Sequence, residues 1–382
     1  MSEGFDAMTT GTWASVGDLP AAASWRGQHD NAVRLTDNTV LVAGGADKSG
    51  SPVNTVARYN PDMKTWQSST LLAARMLHTL TDLDGGDALV IGGIANKTPN
   101  APGVTTVERY DHTKNTWASA PSLQAGRWGH AAVRLKNNQI LVIGGATVPA
   151  GSDAVRALNT VELFDGTTWT TKAAMADARY GHTAVLLDNG QVLVCGGVTA
   201  TGRGEAQLAL CELYDPTQNR WSPTASMSVP RSHHQATLLT PTTVLVTGGA
   251  APQASGDGTF DPFSRDTAEL YTQGGGWTAQ ADMPAGREFH RAAPIGGGKA
   301  LVVGGTDSTR NDTGFPSTLV YDPSAPQLWT SATGLTAGRW GFAAVALSDN
   351  RVLVLGGTAR SGLAASTPDT DDLLTAAEVF TP

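Results

Sequence analysis

The sequence predicts an all-β fold: one seven-bladed β-propeller whose ring is closed by its own N-terminal strand. Three observations predict it. A β-type run ending in Gly-Gly occurs seven times, each run keeps a fixed set of neighbours, and the last set is completed from the other end of the chain.

The runs are LVAGG at 41–45, LVIGG at 89–93 and 141–145, LVCGG at 193–197, LVTGG at 245–249, LVVGG at 301–305 and LVLGG at 353–357. They stand 48 to 56 residues apart, a period that suits radial repetition of four-stranded blades. Before each run stands an arginine: Arg26, Arg75, Arg127, Arg179, Arg231, Arg287 and Arg339. Three residues on comes a histidine, at His29, His78, His130, His182, His234 and His290, with Phe342 in the seventh place. After each run comes an aromatic: Tyr59, Tyr110, Phe164, Tyr214, Tyr271, Tyr321 and Phe380. A tryptophan follows six of these, at 66, 117, 169, 221, 277 and 329. The seventh is missing at the C-terminus, while Trp13 stands unmatched near the start. Residues 11–16 are therefore expected to be the outer strand of the last blade, leaving no open sheet edge. Residues 1–10 read as a tail. The blades read as approximately 24–69, 73–120, 125–172, 177–224, 229–280, 285–332 and 337–382, in a single domain spanning 1–382.

Composition agrees. With 44 Gly, 20 Pro and a charged fraction of 16%, the chain suits short strands and turns better than helices. A hydrophobic fraction of 40% supplies a core and argues against disorder. The net charge of −8 and the lack of a Lys/Arg run argue against a nucleic-acid partner. No apolar run approaches the roughly 20 residues that span a bilayer, so no membrane association is expected. The start lacks the basic and apolar regions of a secretory leader. The two cysteines, Cys195 and Cys211, make no disulfide framework. A cytoplasmic protein is expected. Phosphate-loop and serine-hydrolase signatures are absent, the recurrent glycines being repeat glycines, and no cofactor is expected.

A hydrophobic run ending in Gly-Gly, then Tyr and Trp about six residues apart, resembles the kelch repeat, and the resemblance covers 11–382. It implies blades of four antiparallel strands, a to d from the axis outward. Arg-x-x-His would open strand a, LVxGG would be b, the Tyr would lie on c and the Trp on d. The bare glycines would let the aromatics of c and d pack close. Galactose oxidase contains a similar propeller, with a copper site of tyrosines, histidines and a Cys–Tyr crosslink. Here five of the six tyrosines are blade residues, so the resemblance implies such a propeller without the copper site. No iron pattern Glu-x-x-x-Asp-x-x-x-His occurs, and the acid-rich loops at 257–266 and 368–372 lack ligand spacing. No metal is expected. The motif speaks to fold, since propellers host unrelated activities.

The a–b and c–d turns are short, as at Asn189-Gly190. The b–c loops are longer, at roughly 46–54, 94–104, 146–158, 198–209, 250–266, 306–317 and 358–375. They share a rim with the start of strand a, and function concentrates on such loops over a rigid scaffold. Aromatics outside the repeat set gather there: Trp25, Trp128, Tyr180, Phe260, Phe263, Phe289, Phe315, Trp340 and Phe342. They form either a partly apolar pocket or packing between loops.

The arginines have two readings. A ring of seven at a channel mouth would attract a carboxylate or phosphate. A residue present in every blade is equally suited to hold the blade together. Strand-c glutamates at 108, 162, 212, 269 and 378 are available to pair with them; blade 1 has Ala57 there and blade 6 Leu319. On that basis Arg26, His29, Arg287 and His290 are expected to be less engaged. Counting from each Arg in steps of two gives Gln28 and Asp30 in blade 1, His233 and Gln235 in blade 5, and Phe289 and Arg291 in blade 6. The other blades give Leu77/Thr79 or pairs of small residues.

The expected site is therefore the arc of blades 5, 6, 7 and 1. His233 and Asp30 are the candidates for proton transfer. Arg26, Gln28, Gln235, Arg287, Phe289, Arg291, Trp128, Tyr180, Trp340 and Arg339 are the candidates for substrate binding. Two functions fit. One is non-redox, cofactor-independent acid–base chemistry (isomerase, lyase or cyclase) on an anionic, partly aromatic small molecule. The other is capture of an acidic peptide or protein partner on the same face.

Overall fold

The computed structural model describes residues 11–26, 31–98, 101–201, 204–250, 264–307 and 313–382. Asp30, Gln28, His29, Phe260 and Phe263 lie outside them.

Seven four-stranded antiparallel sheets make the propeller. Blade 1 runs Ala32–Arg34 (a), Val40–Ala43 (b), Val53–Asn60 (c) and Thr65–Arg75 (d). Blade 3 runs Ala131–Arg134, Ile140–Ile143, Val161–Phe164 and Trp169–Lys172. Each strand a packs on the strand a of the next blade, and Ala343–Ala346 of blade 7 meets Ala32–Arg34 of blade 1. In blade 7 the outer strand is Thr12–Asp18, paired to Ala376–Thr381. Trp13 stands opposite Phe380, with ring centroids 5.1 Å apart. The six other c–d aromatic pairs span 4.8–5.2 Å. The closure is thus one more copy of the same packing unit.

The strand-b runs are buried on both faces, so they read as continuous apolar segments rather than alternating ones. The cores lie between blades: Leu41 and Val56 of blade 1 pack with Leu80 and Val90 of blade 2. The joint between blades 7 and 1 is built alike, from Leu353, Leu355, Val42 and Tyr59. The d-strand tryptophans stitch neighbours together; Trp169 Nε1 donates to Pro121 O at 2.7 Å and Trp329 Nε1 to Ala281 O at 2.7 Å.

Two expectations are corrected. The Arg-x-x-His segments do not open strand a, which begins one residue after the histidine, at Thr79 or Ala131. The residue two after Arg75, Arg127, Arg179, Arg231, Arg287 and Arg339 takes a left-handed φ, from 51° at Phe289 to 59° at Gly129 and Gly181, and this turn breaks the count in steps of two. The first glycine of each pair does not make room for the c and d aromatics. A Cβ on Gly92 would sit 2.6 Å from Arg127 O and 3.0 Å from His130 Cε1. It is the next blade's histidine that needs the space.

Candidate functional site

The repeat arginines turn inward. Arg127 is fully buried. Its Nη1 donates to Gly144 O (2.8 Å) and Thr160 O (3.0 Å), and its Nη2 to Glu162 Oε1 (2.6 Å). Glu162 in turn accepts from the backbone N–H of Gln124 and Ala125. Arg75–Glu108, Arg179–Glu212, Arg231–Glu269 and Arg339–Glu378 repeat the arrangement. Arg287, with Leu319 in the glutamate's place, keeps Gly304 O (3.0 Å) and Ser317 Oγ (3.2 Å). It is 1% exposed. Arg287 and Arg339, expected as ligand-binding residues, therefore do not face a ligand at the mouth; of the two readings of the repeat arginines the one that holds the blade together applies, and these side chains span strands b and c inside their blades.

Arg26 is not the seventh member. Gly45, Gly93, Gly145, Gly197, Gly249, Gly305 and Gly357 each donate N–H to one residue of the following blade. In six cases the acceptor is the repeat arginine; for Gly357 it is Ala23 O at 2.9 Å. Blade 1 thus carries Ala23 in the arginine position. Trp25 takes the place in which other blades have Leu77, Gly129, Gly181, His233, Phe289 or Gly341.

Those residues form a collar around the channel mouth. Gly129 N donates to Leu77 O, Gly181 N to Gly129 O, His233 N to Gly181 O, Gly341 N to Phe289 O and Trp25 N to Gly341 O. Leu77, His233 and Phe289 keep side chains at a positive φ of 57°, 53° and 51°. Such a backbone is costly for bulky residues and collects at functional positions.

Above the collar lies a cavity of about 450 Å³, within the range of small-molecule sites. Met76, Leu77, Trp128, His233 and Phe289 give it an apolar, aromatic wall, and Arg26, Lys48, Asp369 and Asp371 a charged side. Four expected residues meet here: Arg26, Trp128, His233 and Phe289. The Arg26 guanidinium lies 4.3 Å over the Trp340 ring and 2.6 Å from Asp371 Oδ2, with 44% of its side chain exposed. Trp340 is the buried platform beneath it. The His233 ring lies 4.9 Å from Phe289, and its Nδ1 is 3.3 Å from Ser232 Oγ. Burial, then the Arg291 cation, holds this imidazole down at about 4. It is neutral at physiological pH, and a base so weak is poorly matched to proton abstraction.

Gln235, Arg291 and Tyr180 are buried outside the wall of this cavity. Gln235 Nε2 donates to His234 O (3.4 Å) and Arg291 Nη1 to His290 O (3.3 Å). Tyr180 packs edge-on against Trp128 at 5.1 Å and donates its hydroxyl to Glu205.

Sequence reasoning missed Lys48, Asp369 and Asp371 in the cavity wall and, outside that wall, the buried Glu288. The last follows Arg287, where sister blades carry Met76, Trp128, Tyr180, Ser232 and Trp340. That position was the signal: it is the least uniform of the segment, and each of its residues bridges to the residue after a second glycine. Burial pushes the Glu288 carboxyl up to about 8, with Arg26 opposing and Asp307 adding.

The comparisons agree on the fold. The KLHDC2/KLHL20/DRC7 Kelch-repeats domain matches residues 129–357, and the Kelch motif matches 83–124. Kelch-like protein 35 of Mus musculus is 27% identical over 76% of this chain and 45% of its own length. Beta-scruin of Limulus polyphemus is 25% identical over 53% of this chain and 22% of its own. The chain thus spans less than half the length of these relatives. Among solved structures, "Novel fungal alcohol oxidase with catalytic diversity among the AA5 family, in complex with copper" superposes with a TM-score of 0.70 at 16% identity, over 98% of this chain and 76% of that one. The likeness is one of fold. Among the described residues no three His, Cys, Asp or Glu side chains cluster as a metal set, and Cys195 and Cys211 face each other inside blade 4. Seven blades, their interior and the family match place the chain in the kelch-repeat β-propeller family.

Proposed function

We propose that the propeller binds an anionic, partly aromatic small molecule in the channel mouth. One observation carries this reading: the cavity joins an aromatic wall (Trp128, His233, Phe289) to an accessible guanidinium, Arg26. An apolar body gains from leaving water against that wall. The Arg26 fork has five donors and rests over the Trp340 ring, so it can take a ligand carboxylate beside Asp371. The strained φ of Leu77, His233 and Phe289 supports the same reading, because a glycine collar would be easier to fold.

Capture of an acidic peptide on this face is less well supported. The rim has Arg26 and Lys48 against Asp369 and Asp371, so a segment with several negative charges meets no net attraction. Acid–base chemistry is a second reading, favoured by Glu288, whose carboxyl keeps its proton near neutrality. His233 would then orient rather than abstract. Asp30 is not needed in either reading.

The test is a calorimetric screen of aromatic carboxylates. Hits should weaken by about tenfold or more in Arg26→Ala, the loss of one charge-assisted contact, and likewise in Phe289→Gly. Unchanged affinity in both variants would sink the proposal.

A further inference from the structure

Blade 1 contains a second cavity, of about 200 Å³, lined by Leu19, Pro20, Ala23, Trp25, Thr55 and Ala57 among others. Its position follows from the blade register. Gly44 N donates to Thr55 O as Gly92 N does to Thr106 O and Gly304 N to Ser317 O. Val42 faces Ala57 as Val90 faces Glu108 and Val302 faces Leu319. The cavity is therefore the slot that an arginine fills in each of the six other blades, left open because Ala23 and Ala57 replace both partners. Pro20 completes the change. It stands where Leu72 and Gln124 donate backbone N–H groups to the glutamate, and proline has none.

The slot keeps what holds a guanidinium. In sister blades Nη1 binds the first glycine's carbonyl, and in three of them Nη2 reaches a hydroxyl, at Thr160, Thr267 or Ser317. Blade 1 has Thr55 in the cavity wall and Gly44 at the register position of those first glycines. Gly44 is buried, and no backbone donor among the described residues meets its carbonyl. A buried carbonyl without a partner is costly. Blade 6 supplies the precedent for binding without a carboxylate among the described residues: Arg287 donates to Gly304 O and Ser317 Oγ, lies 5.6 Å from the Phe315 ring and stays charged, its pKa lowered only to about 10 by burial. Arg26 is not the occupant, being tied to Asp371 on the rim.

We propose that this slot binds the guanidinium group of a small guanidino compound. It opens between the crossover from blade 7 and the exposed Ser68–Thr70 stretch of strand d and shares no lining residue with the mouth cavity, so the proposal does not depend on the reading given above. Thr55 and Gly44 accept the planar fork, and Trp25, Leu19 and Val42 enclose the alkyl stem.

The test is a titration of the intact protein with methylguanidinium chloride, following the indole N–H resonance of Trp25, identified with Trp25→Phe. The Trp25 signal should move saturably at millimolar ligand and respond much less to methylammonium, a point charge that cannot match the fork. Ala23→Arg supplies the chain's own guanidinium, as blade 6 does, and should abolish the response. Ala57→Glu restores a carboxylate and should tighten binding by about tenfold, through a charge-assisted pair. An unsaturable shift, an equal response to methylammonium, or a response that survives Ala23→Arg would each overturn the proposal.

Discussion

Blades 3 and 1 share a strand plan and differ in what fills it. Blade 3 closes its interior with a guanidinium, a carboxylate and the two N–H groups that satisfy it. Blade 1 has two alanines and a proline there, and the Trp25 ring, from the collar position, fills the space that a histidine fills elsewhere: a Cβ on Gly356 would meet Trp25 Cζ3 at 2.9 Å, as one on Gly92 would meet His130 Cε1 at 3.0 Å. The ion pair is thus not required to make a blade. It fills five blade interiors with a buried polar pair, and in blade 1 the loss of both partners leaves a hollow beside the mouth. Blade 6 stands between them, keeping the cation and not the carboxylate.

Breaking blade 3 should have the largest effect. Glu162→Ala strands a buried cation and should cost about 3–5 kcal/mol, read by chemical denaturation. Arg127→Ala should cost a similar amount. The double variant should cost clearly less than the sum, because it removes both charges together, as blade 1 has done.

The pH dependence of stability comes next, with effects on the order of a few kcal/mol. Glu288 has its folded pKa raised to about 8, against about 4.3 unfolded. The folded state therefore binds the proton more tightly, and this contribution, full below about 4.3, is lost as pH rises to about 8. Histidines act in the other direction. His78 is lowered to about 3 and His233 to about 4, and burial holds His130 and His182 well below the usual value. Their contribution is present above about 6.5 and is lost as pH falls. Melting temperature should fall on both sides, and Glu288→Gln should flatten the alkaline limb while leaving the acid limb in place. An unchanged alkaline limb would show that Glu288 is ionised in the folded state.

In blade 6, Arg287→Met should cost about 1–3 kcal/mol, the price of leaving Gly304 O unpaired, with no carboxylate stranded. A loss as large as that of Glu162→Ala would mean that a charge partner compensates Arg287 after all.

These contrasts also explain what the sequence could convey. The seven Gly-Gly runs and Trp13 were legible because each serves a contact that every blade repeats. Arg26 was misassigned because Arg26 and His29 imitate Arg-x-x-His by spacing alone. The correct register was visible elsewhere. Each true arginine follows an apolar residue by four: Leu71, Leu123, Met175, Met227, Met283 and Leu335. Leu19 points in the same way to Ala23. The mouth was legible in part. Trp128, His233 and Phe289 stood out as departures from the repeat, whereas Lys48 and Asp371 come from loops without a repeat, and three-dimensional closure alone brings them to Arg26.

The smallest effect on stability separates two arginines that the sequence presents as equals. Arg26 lies on the rim, with an exposed ion pair to Asp371 and a face on Trp340. Exposed pairs contribute about 0–1 kcal/mol, so Arg26→Ala should hardly change the denaturation midpoint. Arg339 is fully buried against Glu378, and Arg339→Ala should destabilise the fold by several kcal/mol. Binding should reverse the order. Ligand affinity should fall about tenfold or more in Arg26→Ala, whereas the folded fraction of Arg339→Ala should bind as the parent does, because its guanidinium never reaches the mouth. If both variants lost stability and affinity together, the mouth and the blade interior would be one mechanical unit, and the separation between repeat and site would fail.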